Sequence, residues 1–274
     1  MSSALVRVSW VPVRRTPGHR SEMVNQALLG EVLELLESAD ASEHPEWVAA
    51  RAADGYEGYV TRGSLRECSD AEAADWNAGA DLTSLGTVLT PMAGEAASPR
   101  YAPWGARLTS DGPGAVQLPD GRRASPSDPS GLIADADRRD LYPSDPAAIA
   151  RTATRWLGTP YVWGGRTELG TDCSGFVQAV FALHGRQLPR DSRDQYARGP
   201  HPGSNDAFTR GEPGELWFFA WNDRPVSHVG ISLGRTKMIH ASETRGGVAI
   251  DELGEGDFGR RLEAGFVAAV RPAG

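Results

Sequence analysis

The chain has 274 residues, 28 basic and 36 acidic side chains, a net charge of −8 and 40% hydrophobic residues. That length suits one large domain or two to three small ones, and the apolar fraction argues for packed cores rather than disorder. An acidic chain with dispersed arginines lacks the basic stripe that nucleic acid requires, and no apolar run is long enough to span a bilayer.

Gly and Pro are abundant, at 32 and 19 residues, which favours turns and short strands over a helical bundle. The two cysteines, Cys68 and Cys173, exclude a zinc site built from cysteine pairs, and neither a metal nor another cofactor is expected. The opening residues, MSSALVRVSWVPVRRTPGHR, show no apolar core and no small-residue cleavage signal. They predict a cytoplasmic protein with reduced thiols.

Residues 1–67 read as strands between turns: ALVRVSWVPV, the Leu/Val run ALLGEVLELLES, EWVAARAA, and YVTRGSL after a DGYEG turn. A helix over 26–38 is the alternative for the second of these, weakened by Gly30 and Val32. This pattern predicts a small barrel. Residues 68–130 repeat it more weakly through LGTVLTPM, ARLTSDGPG and AVQLPDGRR, as a second small β domain. A polar, proline-bearing connector over 131–144, with a short helical piece around 132–137, leads to a last domain over 145–274.

That domain opens with PAAIARTATRWLGTP, an amphipathic helix whose stripe is Ile149, Ala153, Trp156 and Leu157. After the aromatic–glycine loop YVWGGRTELG comes a second helix, capped by Thr171 or Asp172 and striped by Val177, Val180, Phe181 and His184. From 216 onward the period is two. LWFFAW, HVGISLG, KMIHAS, GVAIDE and FVAAVR predict five strands of an antiparallel sheet, an α+β pattern.

Cys173 falls in the first turn of the second helix. Unpaired backbone N–H groups there favour a thiolate and would hold an oxyanion on a carbonyl attacked by sulfur. His228 opens one predicted strand and His240 nears the end of the next, so antiparallel pairing would bring one ring to the thiol as base and the other behind it. Inert burial of the cysteine and satisfied core histidines are the alternatives. His19, His44, His184 and His201 have no functional context, and Cys68 reads as an incidental thiol.

The stretches LGTPYVWGG, TDCSGFVQ, LPRDSRDQ, GELWFF, HVGISLG and MIHAS resemble the NlpC/P60 family of cell-wall cysteine peptidases. The resemblance implies a papain-like α+β catalytic domain with Cys173 as nucleophile, His228 as base, His240 as third member and Tyr161 beside the oxyanion hole. RRTPGHRSEMVNQALLGE and DGYEGYV resemble the first of two bacterial SH3-like domains in the YkfC-type subgroup. The implied architecture is two small SH3-like β-barrels ahead of the catalytic domain, the first walling the substrate cleft.

The implied activity is hydrolysis of the γ-D-glutamyl–meso-diaminopimelate amide, or that of another diamino acid, during murein peptide recycling. The implied partner is a tripeptide or tetrapeptide with a free N-terminal L-alanine, whose ammonium Asp191 would receive with help from Glu22 and Tyr56. Ser192, Ser174 and Trp163 are further candidate substrate contacts; core packing serves Trp163 equally. A non-catalytic wall-binding protein and a thiol acyltransferase or amidase on another substrate are the competing readings. Oligomeric state is not encoded in any of these patterns.

Overall fold

The computed structural model describes residues 2–38, 42–92, 98–198 and 211–271, and the chain divides into two compact units, Met1–Arg138 and Arg139–Gly274. His201 lies outside the described residues.

The first unit holds two antiparallel sheets. Strands β1 (Ser2–Val6), β2 (Trp10–Arg14), β3 (Met23–Leu28), β4 (Val32–Leu36), β5 (Trp47–Arg51), β6 (Glu57–Thr61) and β7 (Leu65–Cys68) run in the order β3-β2-β6-β5-β4-β1-β7. Their inward positions, among them Val6, Val11, Val13, Leu33 and Val60, form one apolar core. The ALLGEVLELLES run is two strands and not a helix, because Gly30 makes the turn between them with φ +81°. No larger residue fits there: a Cβ on Gly30 would lie 1.8 Å from the Arg107 carbonyl oxygen of the second sheet.

A helix, α1 (Asp70–Gly79), separates the sheets and has no counterpart in the sequence expectations. Its signal was present as Ser69 and Glu72, which form a reciprocal capping box. The second sheet comprises β8 (Leu82–Ser84), β9 (Thr87–Pro91), β10 (Arg100–Ala102), β11 (Arg107–Ser110), β12 (Val116–Gln117), β13 (Arg123–Pro126) and β14 (Leu132–Ala134). Thus part of the expected connector is a strand, β14, paired with β8. The helical piece follows it as α2 (Asp135–Leu141), whose Asp135 is bonded by the Arg107 guanidinium.

The second unit begins with α3 (Pro146–Thr154), capped by the Asp145 side chain. Ile149 and Ala153 are buried along α3, Trp156 is buried in the turn after the helix ends, and Leu157 beside it is exposed. A two-strand ribbon, β15 (Arg166–Thr167) and β16 (Gly170–Thr171), leads into α4 (Cys173–Leu183) and then α5 (Ser192–Arg198). Val177, Val180 and Phe181 are fully buried along α4. His184 is a satisfied core histidine, bonded to the Pro143 carbonyl and the Thr152 hydroxyl.

The five expected strands are all present as β17 (Leu216–Phe219), β18 (His228–Gly234), β19 (Lys237–Ser242), β20 (Gly247–Glu252) and β21 (Phe266–Val270). They form one antiparallel sheet, ordered β20-β19-β18-β17-β21. Before β21 comes α6 (Gly256–Gly265), whose Leu262 packs with Trp217, Phe219 and Met238 on one face of the sheet. Alternation turns Phe218, Val229, Ile231 and Ile239 to the opposite face, where α4 lies against β18 and β19.

The start of α4 is fixed by a buried ion pair. Asp172 caps the helix by accepting from the Gly175 amide at 2.8 Å, and its other oxygen accepts from the Gly164 amide at 2.9 Å. Arg190 grips both carboxylate oxygens, at 3.0 and 2.6 Å, and also donates to Ser174 Oγ at 2.9 Å. Side-chain exposure is 1% for Arg190 and 8% for Asp172, so neither charge has water to fall back on. Arg190→Ala leaves the carboxylate buried without its cation. It should destabilise the second unit by about 3–5 kcal/mol, read from its urea unfolding transition.

Candidate active site

Cys173 is the first residue of α4 and is 8% exposed. Its sulfur accepts from the backbone amides of Ser174 and of Val229, the residue after His228. The start of α4 therefore meets the start of β18. Burial, followed by the neighbouring Asp172 carboxylate, pushes the thiol up to about 12, against the lowering effects of those amides and Arg190. A thiolate at rest, expected from the helix position, is thus overruled by burial.

His228 is partly exposed, and burial of its ring with the neighbouring His240 holds its pKa well below the usual imidazole value. Its Nε2 lies 2.6 Å from His240 Nδ1. The sheet dictates this meeting. Pairing of Ile231 with Ile239 places His240 opposite Gly230, so His228 lies diagonally from His240 on the same face. Gly230 supplies the room, because a Cβ there would come within 3.0 Å of the His240 Cβ.

His240 is fully buried and its Nε2 lies 2.9 Å from Asp251 Oδ2. Asp251 is itself bonded by Arg245, whose Nε lies 3.1 Å from each carboxylate oxygen. Burial alone would raise the Asp251 pKa, but its hydrogen bonds to His240 and Arg245 bring it down to about 2. Asp251 and Arg245 were absent from the sequence-derived site. The available signal was an acidic residue interrupting the apolar run GVAIDE, in the strand next to KMIHAS.

Tyr161 lies partly buried beside Cys173; burial, then the nearby sulfur and Asp172, raise the phenol's pKa. It is therefore a protonated donor at neutral pH. Trp163 is 60% exposed, which excludes the core role. Ser174 is buried, its hydroxyl held between Arg190 and Asp172 and its carbonyl by Gln195 at 3.1 Å. Gly165 and Gly175 are required by close packing, since a Cβ on Gly175 would lie 2.1 Å from the Gly165 carbonyl oxygen.

PRDSRDQ is tied into the second unit. Arg190 is buried, Ser192 opens α5, and the Asp191 carbonyl receives the amides of Asp194 and Gln195 at 3.0 and 2.9 Å. The Asp191 side chain is partly buried. Glu22 and Tyr56 belong to the first unit. There Glu22 pairs with Arg15 at 2.8 Å and Tyr56 packs against the first core. Among the described residues no group of His, Cys, Asp and Glu has the arrangement of a metal site, and no helix is long and apolar enough to cross a membrane. Cys68 and Cys173 are both free.

Residues 158–265 match the NlpC/P60 family model, and residues 13–65 match that of the bacterial dipeptidyl-peptidase Sh3 domain. The chain is 35% identical over 116 residues to the γ-D-glutamyl-L-lysine dipeptidyl-peptidase of Bacillus subtilis, covering 42% of this chain and 38% of that protein. Over 100 residues it is 43% identical to a probable endopeptidase of Haemophilus influenzae, covering 36% of this chain and 59% of that one. The matched stretch is therefore less than two thirds of either relative. A crystal structure of an NlpC/P60 family protein from Bacillus cereus shares the fold with a TM-score of 0.81 at 21% identity, over 98% of this chain and 99% of that one. The stretch that matches the NlpC/P60 model thus holds the helix-start cysteine and both strand histidines, and there the chain is similar to peptidoglycan endopeptidases, with a match to an SH3-like domain ahead of it.

Proposed function

We propose that the chain is a cysteine endopeptidase that hydrolyses the γ-D-glutamyl–diamino acid amide of murein peptides bearing a free N-terminal L-alanine. The observation that carries the reading is the meeting of the helix-start Cys173 with the first residues of β18, the strand on which His228 contacts His240. The name of the Bacillus subtilis relative, a γ-D-glutamyl-L-lysine dipeptidyl-peptidase, supports the choice of bond. Two free cysteines accord with work in a reducing, cytoplasmic compartment on recycled peptides.

In this mechanism Cys173 Sγ attacks the γ-carbonyl carbon of D-glutamate while its proton passes to His228. The Nε2 of His228 faces His240, which leaves Nδ1 for the thiol. The carbonyl oxygen becomes an oxyanion held by amides at the start of α4 and by the Tyr161 hydroxyl. The imidazolium then protonates the departing amine, the C–N bond breaks, and a thioester remains on Cys173. Water, deprotonated by His228, attacks the thioester and releases the D-glutamyl carboxylate and the thiol.

Incubation with L-Ala-γ-D-Glu-meso-diaminopimelate should yield L-Ala-D-Glu and free diaminopimelate by mass spectrometry, and Cys173→Ala should abolish turnover without loss of fold. Full hydrolysis by the folded Ala variant would rule out the thiol mechanism.

The resting charges give a pH test. With the thiol pushed up and the His228 imidazole pushed down, the pair is neutral–neutral near pH 7 rather than thiolate–imidazolium. The rate of Cys173 alkylation by iodoacetamide should therefore climb steadily from pH 6 to 10. A plateau established below pH 8 would show a preformed ion pair instead.

Asp191, partly buried at the start of α5, is the proposed receptor for the alanine ammonium. Acetylating that amine removes its charge and adds bulk where the ammonium would sit. The kcat/KM should fall about tenfold to a few hundredfold, the scale of losing one charge-assisted contact of about 1–3 kcal/mol. Asp191→Ala should erase most of that discrimination; equal parental kcat/KM values for free and acetylated peptide would eliminate the amine pocket.

A further inference from the structure

We propose that Asp251, clamped by Arg245, is a positioning residue that dictates the tautomers of His240 and His228 and so makes His228 Nδ1 the basic atom. The inference deepens the proposed catalytic role of Cys173 and His228 and rests on it.

The bonds allow one polarity. An ionised carboxylate only accepts hydrogen bonds, so the 2.9 Å contact to Asp251 Oδ2 requires the proton on His240 Nε2. A neutral imidazole carries one N–H, which leaves His240 Nδ1 bare. The 2.6 Å contact between His240 Nδ1 and His228 Nε2 then requires the proton on His228 Nε2. The remaining nitrogen, His228 Nδ1, has its lone pair free. Reversing the chain would need Asp251 to donate, and Arg245 opposes its protonation.

The strands place these groups without slack. Asp251 sits opposite Met238 on β20, diagonal to His240, which is the relation His240 bears to His228 one strand further on. The relay thus steps across three strands on a single face. His240 is fully buried and Asp251 is 6% exposed, so water does not compete for these bonds.

Arg245 decides which way the carboxylate faces. It lies in the turn between β19 and β20, where the Gly246 amide donates to the Glu243 carbonyl at 3.0 Å. Its Nη2 donates to Asp251 Oδ1, and its guanidinium lies 4.6 Å from the centre of the Phe258 ring, which also neighbours His240. Arg245 reaches Oδ1 from both Nη2 and Nε but Oδ2 from Nε alone, so Oδ2 is the oxygen with capacity left for His240. Because the Arg245 and Asp251 charges offset each other, the contribution of the pair lies in proton placement more than in net charge.

Asp251→Asn separates these possibilities. Arg245 would hold the amide oxygen and turn the NH2 toward His240. His240 must then accept at Nε2 and carry its proton on Nδ1, which drives the His228 proton onto Nδ1 and blocks the base. The kcat should fall about 100- to 10,000-fold, the scale of a wrong-tautomer triad, with KM changed less than about threefold. In D251N/R245A the amide is free to rotate its oxygen toward His240. That double variant should regain at least about tenfold of the lost kcat, which simple loss of packing would not do.

Imidazole 15N spectra of the full chain read the tautomers directly and need no substrate. Parent protein should show Nε2–H on both rings, D251N should show Nδ1–H on both, and the double variant should return to Nε2–H. A parent His240 protonated on Nδ1 overturns the proposal, even if D251N fails to fold. So does a folded D251N that keeps both Nε2–H tautomers, or a double variant no better than the single one. A parent with the expected tautomers that hydrolyses none of the murein peptides supports the relay and overturns the substrate assignment.

Discussion

One buried carboxylate organises the catalytic unit. Asp172 ends the aromatic–glycine loop, caps α4 and binds the Gly164 amide, and Arg190 arrives from beyond the helix to neutralise it. Each contact constrains a different segment, so the loop carrying Tyr161, the helix carrying Cys173 and the stretch leading into α5 share one anchor. The electrostatic cost falls on the nucleophile. A carboxylate beside a buried thiol disfavours the thiolate, and Arg190 and the two amides at the sulfur offset only part of that. The proton therefore rests on the Cys173 sulfur, and the proposed mechanism depends on where His228 keeps its lone pair.

The antiparallel sheet meets that requirement with ordinary register. Diagonal neighbours on one face bring His228, His240 and Asp251 into line, and Gly230 yields the space that a side chain would occupy between the rings. The same face continues into Trp217, Phe219 and Met238 under α6. The histidines are consequently embedded in aromatic and apolar surroundings, with Phe219 ringing His228 at 5.7 Å and Phe258 near His240 at 6.2 Å. Such surroundings disfavour a charged His228 ring and strengthen the few hydrogen bonds that remain. Packing and proton placement are one design here: the residues that close the core also keep water from scrambling the relay.

Much of this was legible in the sequence because the governing signals are local. Period-two hydrophobicity located all five strands of the second unit's sheet, and Asp-Cys-Ser-Gly marked the start of α4, where the proposed nucleophile lies. What escaped was decided by partners distant in the chain. Arg190 carries no local signal of its own, and it is buried because it pairs with Asp172, 18 residues earlier in the chain. Asp251 and Arg245 carried no motif, since their meaning comes from strand register. The Ser174 hydroxyl, an expected substrate contact, is engaged by Arg190 and Asp172, partners that its local sequence does not reveal. In the first unit, α1 was missed although its capping box is visible, and the helix alternative for 26–38 failed at Gly30, where the second sheet comes too close for any side chain.

The central claim is that Cys173 forms a thioester with the γ-carboxyl of a D-glutamyl residue. Rapid acid quenching during turnover of L-Ala-γ-D-Glu-meso-diaminopimelate, followed by intact-protein and peptide mass spectrometry, tests it directly. The account predicts a transient adduct with the mass of the L-Ala-γ-D-glutamyl acyl group, located on Cys173 and discharged by hydroxylamine. Turnover at full rate with the protein unmodified at every quench time, and with Cys173 alkylated beforehand, would contradict it.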